Sequence, residues 1–270
     1  MITLATLVVF TGLMAIGSVR AQPAAGDESA TESSSGSQQS EELHTAFPGV
    51  RIDTRQGFVE IDASVAIDAH IEETPHIYLE LVACSPDSRE HESLLVIEAK
   101  PSHIHAALLL LGLDAGAPGQ WRAVGETVER VPPTGSVVIV ELVTLAEDGS
   151  ETLAKPHEWI EHVETGNEME PMEWVFAGSR FVSVRGRSDR GEVVEYYDAD
   201  RSGTILGLAT FSSEVVAPTR VISDLAGVDD PVWIARREIV PVRGTAVLVR
   251  ISAAEENAGK SETEEVDAAN

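Results

Sequence analysis

The sequence predicts an α+β fold, in which residues 47–252 form one β-rich domain with a single buried helix near residues 102–112. Three observations lead to this prediction. Short segments alternate apolar and polar side chains, which is the period of half-buried strands. One segment has the composition of a helix with start and stop signals. The roughly 200 residues between the polar ends of the chain are enough for one hydrophobic core.

The first elements are predicted to be a hairpin and two further strands. Residues 50–53 and 58–62 alternate apolar and polar side chains, and Arg55, Gln56 and Gly57 between them have the composition of a tight turn. Residues 77–83 and 94–97 are apolar enough to be strands inside the domain. We therefore expect four strands before the helix.

The helix is predicted to run from residue 101 to residue 111. Pro101 and Ser102 are typical of a first helical turn, the interior is rich in Ala and Leu, and Gly112 is a typical stop. Because the segment is apolar on nearly all sides, we expect it to be buried in the domain rather than to lie on its surface.

The second half of the domain is predicted to be nearly all strand. Residues 174–176 and 181–184 are interpreted as a hairpin across residues 177–180. Residues 193–197 and 204–211 are interpreted as strands joined by a turn at 198–203. These assignments make the domain β-rich.

Two segments that lie 109 residues apart resemble each other. Residues 131–142 and 240–251 both contain a Pro-x-x-Gly turn that is followed by a hydroxyl residue and a strand pattern. Two structurally related halves would explain this echo, and so would a chance similarity of two turn-and-strand units. The residues leave both explanations open.

The first 21 residues have the features of a secretory signal peptide. An apolar run from Ile2 to Ile16 is followed by Val19, Arg20 and Ala21, and this pattern predicts cleavage after Ala21. An uncleaved membrane anchor is the alternative, but about 15 apolar residues are fewer than the roughly 20 that span a bilayer. We therefore expect an exported protein, periplasmic or extracellular, with no stable membrane insertion after cleavage.

Both ends of the remaining chain are polar and acidic. Residues 22–46 contain five acidic residues and no Lys or Arg, and residues 253–270 contain six acidic residues and one Lys. Such segments bury too little apolar surface to fold, so we predict a disordered Ser-rich linker at 22–46 and a disordered tail at 253–270. The formal net charge of -26 repels phosphate backbones, which argues against nucleic acid as a partner.

The densest group of reactive side chains lies between residues 84 and 105. It comprises a thiol, three imidazoles and a carboxylate: Cys84, His91, Glu92, His103 and His105. Side chains of these types bind zinc or copper, although their spacing fits no compact metal motif. His103 and His105 are separated by about 200° around a helix, so only one of them can face a shared metal.

Cys84 is the only cysteine, so no disulfide can form within the chain. It is buried and structural, a metal ligand, or free to pair between chains, and a buried state is the commonest for such a residue. Cys84 and His91 could also act as nucleophile and base, but the sequence identifies no third group that would orient them. Ligand binding, metal binding, catalysis and a purely structural role therefore all remain open for the cluster.

Two other motifs do not support a function. His157 and His162 flank two glutamates, but zinc proteases place these histidines four residues apart rather than five. The segment 198–203 resembles the start of a calcium loop, but Ala209 stands where the loop would need its closing Glu.

The chain resembles the YdjY-like domain family. The resemblance rests on a specific block, Cys-x6-His-Glu-Ser-Leu-Leu at 84–95 with Pro-x-His-x-His-Ala-Ala-Leu-Leu at 101–109, and on a looser one at 176–179 and 197–203. It implies a single exported bacterial domain, of a kind frequent in planctomycete-like genomes, for which no activity is defined. The family pattern also includes positions that match Cys84, His91, Glu92 and His105.

We expect a non-catalytic binding or interaction module whose partner is an unidentified protein or small molecule. The region of Cys84, His91 and His105 is where a ligand or metal would bind. The alternative is an enzyme that uses these residues and Glu92, with or without zinc or copper. The binding module is favoured because no complete catalytic constellation can be assembled from the sequence.

Overall fold

The computed structural model describes residues 44–71, 76–185 and 193–254. The predicted signal peptide, most of the predicted linker and the predicted tail beyond residue 254 lie outside the described residues. Within the described residues, the first strand begins at His44 and the last ends at Ala253, slightly beyond the expected limits of 47 and 252.

The chain up to residue 110 forms the first strands and the main helix. They are β1 (His44–Phe47), β2 (Val50–Asp53), β3 (Phe58–Val65), β4 (Leu81–Cys84), β5 (Ser93–Val96) and α1 (Pro101–Leu110). The predicted hairpin is confirmed, because β2 and β3 pair antiparallel. Gly57 closes its turn with a φ of 74°, which a residue without a Cβ adopts at little cost. The strand predicted at 77–83 is regular only from Leu81 onward.

The middle of the chain consists of short strands. They are β6 (Ala115–Ala117), β7 (Gln120–Val124), β8 (Thr127–Val131), β9 (Thr134–Gly135), β10 (Val137–Leu145), β11 (Glu151–Ala154), β12 (Ile160–His162) and β13 (Trp174–Val175). Two 3₁₀ turns, Glu90–Glu92 and Pro156–Trp159, precede β5 and β12. The pattern around His157 and His162 is therefore not helical, in agreement with the rejection of a zinc-protease motif.

The last part of the chain adds more strands and a short helix. They are β14 (Phe181–Arg185), β15 (Val193–Tyr197), α2 (Asp198–Ser202), β16 (Thr204–Gly207), β17 (Ala217–Pro218), β18 (Trp233–Ala235) and β19 (Ala246–Ala253). Within the described ranges, neither helix has the length and apolar composition needed to cross a bilayer.

Most of the strands build one curved sheet. Its path runs β16-β4-β5-β3-β19-β10-β13-β17, with β2 and β1 attached beside β3 and with β11 beside β10. The two end regions meet, since Val216 N donates to Ile205 O at 3.0 Å, and the sheet therefore nearly closes on itself. The remaining strands form the two-stranded sheets β6-β9, β7-β8, β12-β18 and β14-β15. This architecture confirms the β-rich character that the sequence predicts.

The hydrophobic core lies on the concave side of this sheet. Val59 and Ile61 of β3 and Val249 and Ile251 of β19 have no exposed surface. In β19 they alternate with half-buried residues such as Arg250, which is the pattern expected for a strand with one face in the core, whereas Glu60 between the two β3 residues is itself buried. Burial of each such side chain contributes about 1.5–3 kcal/mol, so the core is the main source of stability.

The expectation of a buried helix holds for one face of α1 only. Ile104, Ala107 and Leu108 have no exposed surface, whereas Leu109 and Leu110 are 47% and 66% exposed. The uniformly apolar sequence of the helix could not show which face contacts the sheet, because helical periodicity is visible only where polar residues interrupt it.

The predicted hairpin of residues 174–176 with 181–184 is wrong. β13 pairs with β10 and β17, whereas β14 pairs with β15. Gly178 and Ser179, with φ angles of 78° and 54°, redirect the chain from one sheet into the other. Two adjacent strand patterns indicate two strands, but the choice of pairing partner depends on the tertiary structure.

The turn predicted at 198–203 is instead the short helix α2. Gly203 ends it in the left-handed conformation, with a φ of 74°, which is a common helix stop. The helix joins β15 to β16, which lie in different sheets and do not form a hairpin.

The two echoing segments end in neighbouring strands at the centre of the sheet. β10 and β19 pair antiparallel with Glu141 opposite Arg250, and these two residues are also equivalent in the echo. A local two-fold axis therefore passes between them. The outer neighbours differ, because β3 flanks β19 whereas β11 and β13 flank β10. The existence of two related halves stays a prediction.

Candidate functional site

Cys84 lies at the end of β4 and is fully buried. Its backbone is aligned with Val96 of β5 and with Thr204 of β16, which places it inside the sheet. Burial raises the pKa of the thiol, and hydrogen bonds with Ser88 and Ser93 oppose that rise only in part. Because the reactive form is the thiolate, this environment makes Cys84 a packed core group rather than a nucleophile.

His91 and Glu92 lie in the 3₁₀ turn before β5 and contact each other. The His91 side chain is 72% exposed, and its Nε2 lies 3.5 Å from Glu92 Oε1. Glu92 is more enclosed, and its Oε2 lies 3.3 Å from Arg89 Nη1. The structure therefore brings these two sequence candidates together at the surface.

His103 and His105 face different neighbours, as their spacing on α1 predicts. The His103 ring stacks on the Phe47 ring, with centroids 4.6 Å apart. His105 Nδ1 lies 3.0 Å from Gly178 O and 3.0 Å from Tyr197 Oη. The two imidazoles therefore belong to separate contacts.

Among the residues that the structure describes, no group of three or more His, Cys, Asp or Glu side chains is arranged to hold a metal ion. The structure therefore does not gather the five sequence candidates into one group, and binding of zinc or copper stays a prediction. They are close in the sequence, but a strand, a turn and a helix direct Cys84, His91 and His105 to different places.

The contacts of Glu92 lead to Glu80, a residue that sequence reasoning missed. The two carboxyl groups are hydrogen-bonded to each other. Arg89 Nη1 donates to Glu80 Oε2 at 2.9 Å, and Glu80 N donates to Glu92 O at 2.9 Å. The charge of Glu92 therefore disfavours ionisation of Glu80, and Arg89, which contacts both carboxyl groups, offsets that effect in part.

Burial raises the pKa of Glu80 to about 7. The hydrogen bond and the charge of Glu92 add to this rise, as does the charge of Asp224, whereas the charge of Arg89 opposes it. A carboxyl group with a pKa near neutrality can both release and accept a proton at neutral pH.

Glu80 lines a recess of about 60 Å³. Apolar side chains such as Leu208 and Ile222 form part of its wall, together with Asp224, Asp230 and Trp233. A space of this size holds a few water molecules or one small polar group.

A larger groove of about 540 Å³ adjoins the recess. The two spaces share Ile222, Asp229, Asp230 and Trp233, and the groove adds Arg130 and Arg220. Its volume lies within the roughly 300–1,000 Å³ that is typical of ligand pockets. We refer to the recess and the groove together as the Trp233 cleft.

Ion pairs hold the β7-β8 hairpin beside this cleft. Arg130 Nη1 and Nη2 donate to the two carboxylate oxygens of Asp229 at 2.7 and 2.9 Å. This contact is also the largest cause of the lowered pKa of Asp229. Trp121 Nε1 donates to Asp224 Oδ1 at 3.2 Å. Arg130, Asp224 and Asp229 therefore line the cleft with side chains that are already paired.

Arg220 differs from Arg130, because it has no hydrogen bond or ion pair to any other described residue. It is exposed at the groove, and its charge acts on Asp229 only at longer range. In a chain with 45 acidic and 19 basic residues, an exposed guanidinium that forms no ion pair is available to a ligand.

His105 of α1 and Tyr197 of β15 contact each other in a closely packed region. Gly178 O accepts hydrogen bonds from both His105 Nδ1 and Tyr197 Oη, so His105 carries its proton on Nδ1. Burial lowers the pKa of His105 and raises that of Tyr197, which keeps both groups neutral. A Cβ on Gly178 would lie 2.7 Å from Ala115 Cβ, so the backbone is tightly enclosed. This geometry indicates that His105, Tyr197 and Gly178 have a structural role.

Sequence reasoning found only the edge of the candidate site. His91 and Glu92 were singled out, whereas Glu80, Arg220 and Trp233 were not, because the sequence separates them widely. The acidic turn before Trp233, Asp229-Asp230-Pro231, was a local signal that could have indicated the cleft.

Comparison with known proteins agrees with the resemblance seen in the sequence. A family model described as the YdjY domain matches residues 50–252, which is more than half of the 270-residue chain. No curated protein matches the chain significantly, and no solved structure does. The matched range includes the Trp233 cleft and all five side chains singled out from the sequence.

Proposed function

The chain belongs to the YdjY domain family, and we propose that it is an exported binding module that takes a small ligand in the Trp233 cleft. The observation that carries this proposal is the groove of about 540 Å³, which is lined by the indole ring of Trp233 and by Arg220, an exposed arginine that makes no hydrogen bond or ion pair with the described residues. Binding sites typically combine apolar walls with a few polar groups that converge on the ligand.

The geometry supports binding more directly than catalysis. A catalytic group must reach the reacting atoms of a substrate. Glu80 reaches only a recess of about 60 Å³, and Cys84 is enclosed in the core. The residues with access to the large groove are suited to hold a ligand in place.

An enzyme remains the alternative, and one observation favours it. Glu80 has a pKa of about 7 and lines a recess that adjoins the groove. A carboxyl group with these properties suits a general acid or base. In this alternative, Glu80 moves the proton and Glu92 is its hydrogen-bonded partner, while the reacting group of the substrate occupies the recess.

Export is part of the proposal and is supported by the apolar run before Ala21. The test is to express the full chain in an export-competent bacterial host and to sequence the N-terminus of the purified protein. We expect a chain that begins at Gln22. A chain that still begins at Met1 would contradict cleavage.

The binding proposal is tested by a ligand-observed NMR screen of the mature protein against sugars, amino acids, peptides and nucleobases. We expect at least one class to bind. Ala226→Trp, which places an indole at the recess, is expected to weaken binding at least tenfold. Leu225→Trp is the matched control, because Leu225 is exposed on the same loop but does not line the cleft.

Two results would change the conclusion. Binding that survives Ala226→Trp and Trp233→Ala would move the site away from the cleft. Chemical turnover of a bound compound that is lost in Glu80→Gln would favour the enzyme alternative.

A further inference from the structure

The charges of the Trp233 cleft are divided between its two spaces. The recess is lined by carboxyl groups, those of Glu80, Asp224, Asp229 and Asp230. The groove is lined by Asp229 and Asp230 as well, and in addition by the guanidinium groups of Arg130 and Arg220. Asp229 is paired with Arg130, and Glu80 with Arg89, so the charges left without an ion pair are Asp224 and Asp230 at the recess and Arg220 in the groove.

This distribution of charge restricts which charges the ligand can carry. A compound with several negative charges would be repelled at the recess, and one with only positive charges would face Arg220 without compensation. Since Arg130 is already neutralised by Asp229, Arg220 is the group that can bind a ligand anion. Asp230 is exposed and makes no hydrogen bond or ion pair with another described residue, so it is available to a ligand cation.

We propose that the ligand of the Trp233 cleft is a zwitterion of the amino-acid or short-peptide class. Its carboxylate pairs with Arg220 in the groove, and its ammonium group faces Asp230 and the acidic recess. A planar guanidinium fits a carboxylate through two parallel hydrogen bonds. This inference rests on the proposed binding function and specifies the chemistry of the ligand.

The sizes of the two spaces agree with this assignment. An ammonium group is about as large as a water molecule and fits a recess of about 60 Å³. The groove of about 540 Å³ has room for the side chain and for further peptide units. The indole of Trp233 lines both spaces, where it provides an apolar surface against the body of the ligand.

The experiment is isothermal titration calorimetry of the mature protein with leucine and with glycyl-leucine. Each is compared with a derivative that lacks the carboxylate, leucinamide or glycyl-leucinamide, and with its N-acetyl form, which lacks the ammonium group. We expect a free zwitterion to bind and each derivative to bind at least tenfold more weakly, about 1.4 kcal/mol. Equal binding of a zwitterion and its amide would overturn the proposal.

The variants test the residues directly. Arg220→Gln and Asp230→Asn are each expected to weaken zwitterion binding at least tenfold. Arg243→Gln is the matched control, because Arg243 is also exposed and makes no ion pair with the described residues, but lies outside the cleft. Unchanged binding by Arg220→Gln would overturn the proposal.

The outcomes separate this inference from the proposed function. If a singly charged or neutral compound binds, and Ala226→Trp abolishes its binding, the cleft is a ligand site but the zwitterion assignment is wrong. If neither these probes nor the NMR library binds, both proposals fail.

Discussion

At the scale of single residues, a row of alternating charges crosses the centre of the sheet. Glu60 is only 3% exposed, and its two oxygens contact Arg51 Nε at 3.1 Å and Arg250 Nη2 at 2.8 Å. Glu141 lies opposite Arg250 on the next strand. Opposite charges on neighbouring strands attract at each step of such a row.

Glu60→Ala is expected to lower the free energy of unfolding by about 2 kcal/mol, because Arg51 and Arg250 lose the carboxylate buried between them and keep only the more exposed Asp62 and Glu151. The matched control is Glu129→Ala, which breaks an exposed ion pair with Arg122 and is expected to cost less than about 1 kcal/mol. Urea denaturation of both variants checks the prediction. Equal losses of unfolding free energy in the two variants would show that the buried row of charges stabilises the fold no more than a surface ion pair.

Glu80 gives the protein a specific pH dependence. Its folded pKa of about 7 lies above its ordinary value of 4.5, so folding favours the protonated form. The resulting stabilisation is complete below about pH 4.5 and is lost as the pH rises through about 7. We expect the melting temperature of the wild type to fall relative to that of Glu80→Gln between these pH values.

The variant Glu92→Gln tests what raises the pKa of Glu80. In Glu92→Gln, the charge that helps to raise the pKa of Glu80 is absent, so the loss of stability with rising pH is expected to be smaller and to end at a lower pH. Thermal melts recorded at half-unit pH intervals measure both effects. A difference between wild type and Glu80→Gln that does not depend on pH would contradict the raised pKa.

At the scale of elements, the junctions between sheets and helices carry the strained and closely packed positions. The side chain of Asp200 in α2 accepts hydrogen bonds from Ser102 N at 2.8 Å and from Ser102 Oγ at 2.7 Å, and so caps the start of α1. Gly178 joins β13 to β14 in a left-handed conformation, where its carbonyl also holds His105 and Tyr197. These contacts connect the two blocks on which the family resemblance rests.

Gly178→Ala is expected to destabilise the fold by about 3 kcal/mol, because left-handed strain adds to a clash with Ala115. Gly57→Ala is the matched control, since Gly57 has a similar φ of 74° but nothing within 4 Å of the added Cβ. We expect it to cost about 1 kcal/mol. Similar losses of unfolding free energy in the two variants, measured by chemical denaturation, would show that the chain at Gly178 tolerates the added Cβ.

At the scale of the whole molecule, the dominant property is its negative charge. The formal net charge of -26 opposes compaction, because like charges are brought closer together on folding. Salt reduces the range of this repulsion from about 10 Å at 0.1 M to about 3 Å at 1 M.

Sodium chloride is therefore expected to raise the melting temperature of the mature protein by several degrees between about 0.02 and 0.5 M. Potassium chloride is the control, because screening depends on ionic strength and predicts the same rise. A melting temperature that falls with salt would show that ion pairs such as those of Glu60 outweigh the general repulsion.

The features that depend on neighbouring residues could be predicted from the sequence: the β2-β3 hairpin, the position of α1, the β-rich character and the family. Local patterns are sufficient there, because turn residues and helix signals act over a few positions. The tertiary structure alone decided which strands pair, which face of α1 is buried, that Cys84 is enclosed, and that Glu80 and Arg220 line one cleft. Those outcomes depend on which distant segments meet, in the case of Glu80 and Arg220 more than a hundred positions apart, and these segments come together only when the core is formed and the sheet curves around it.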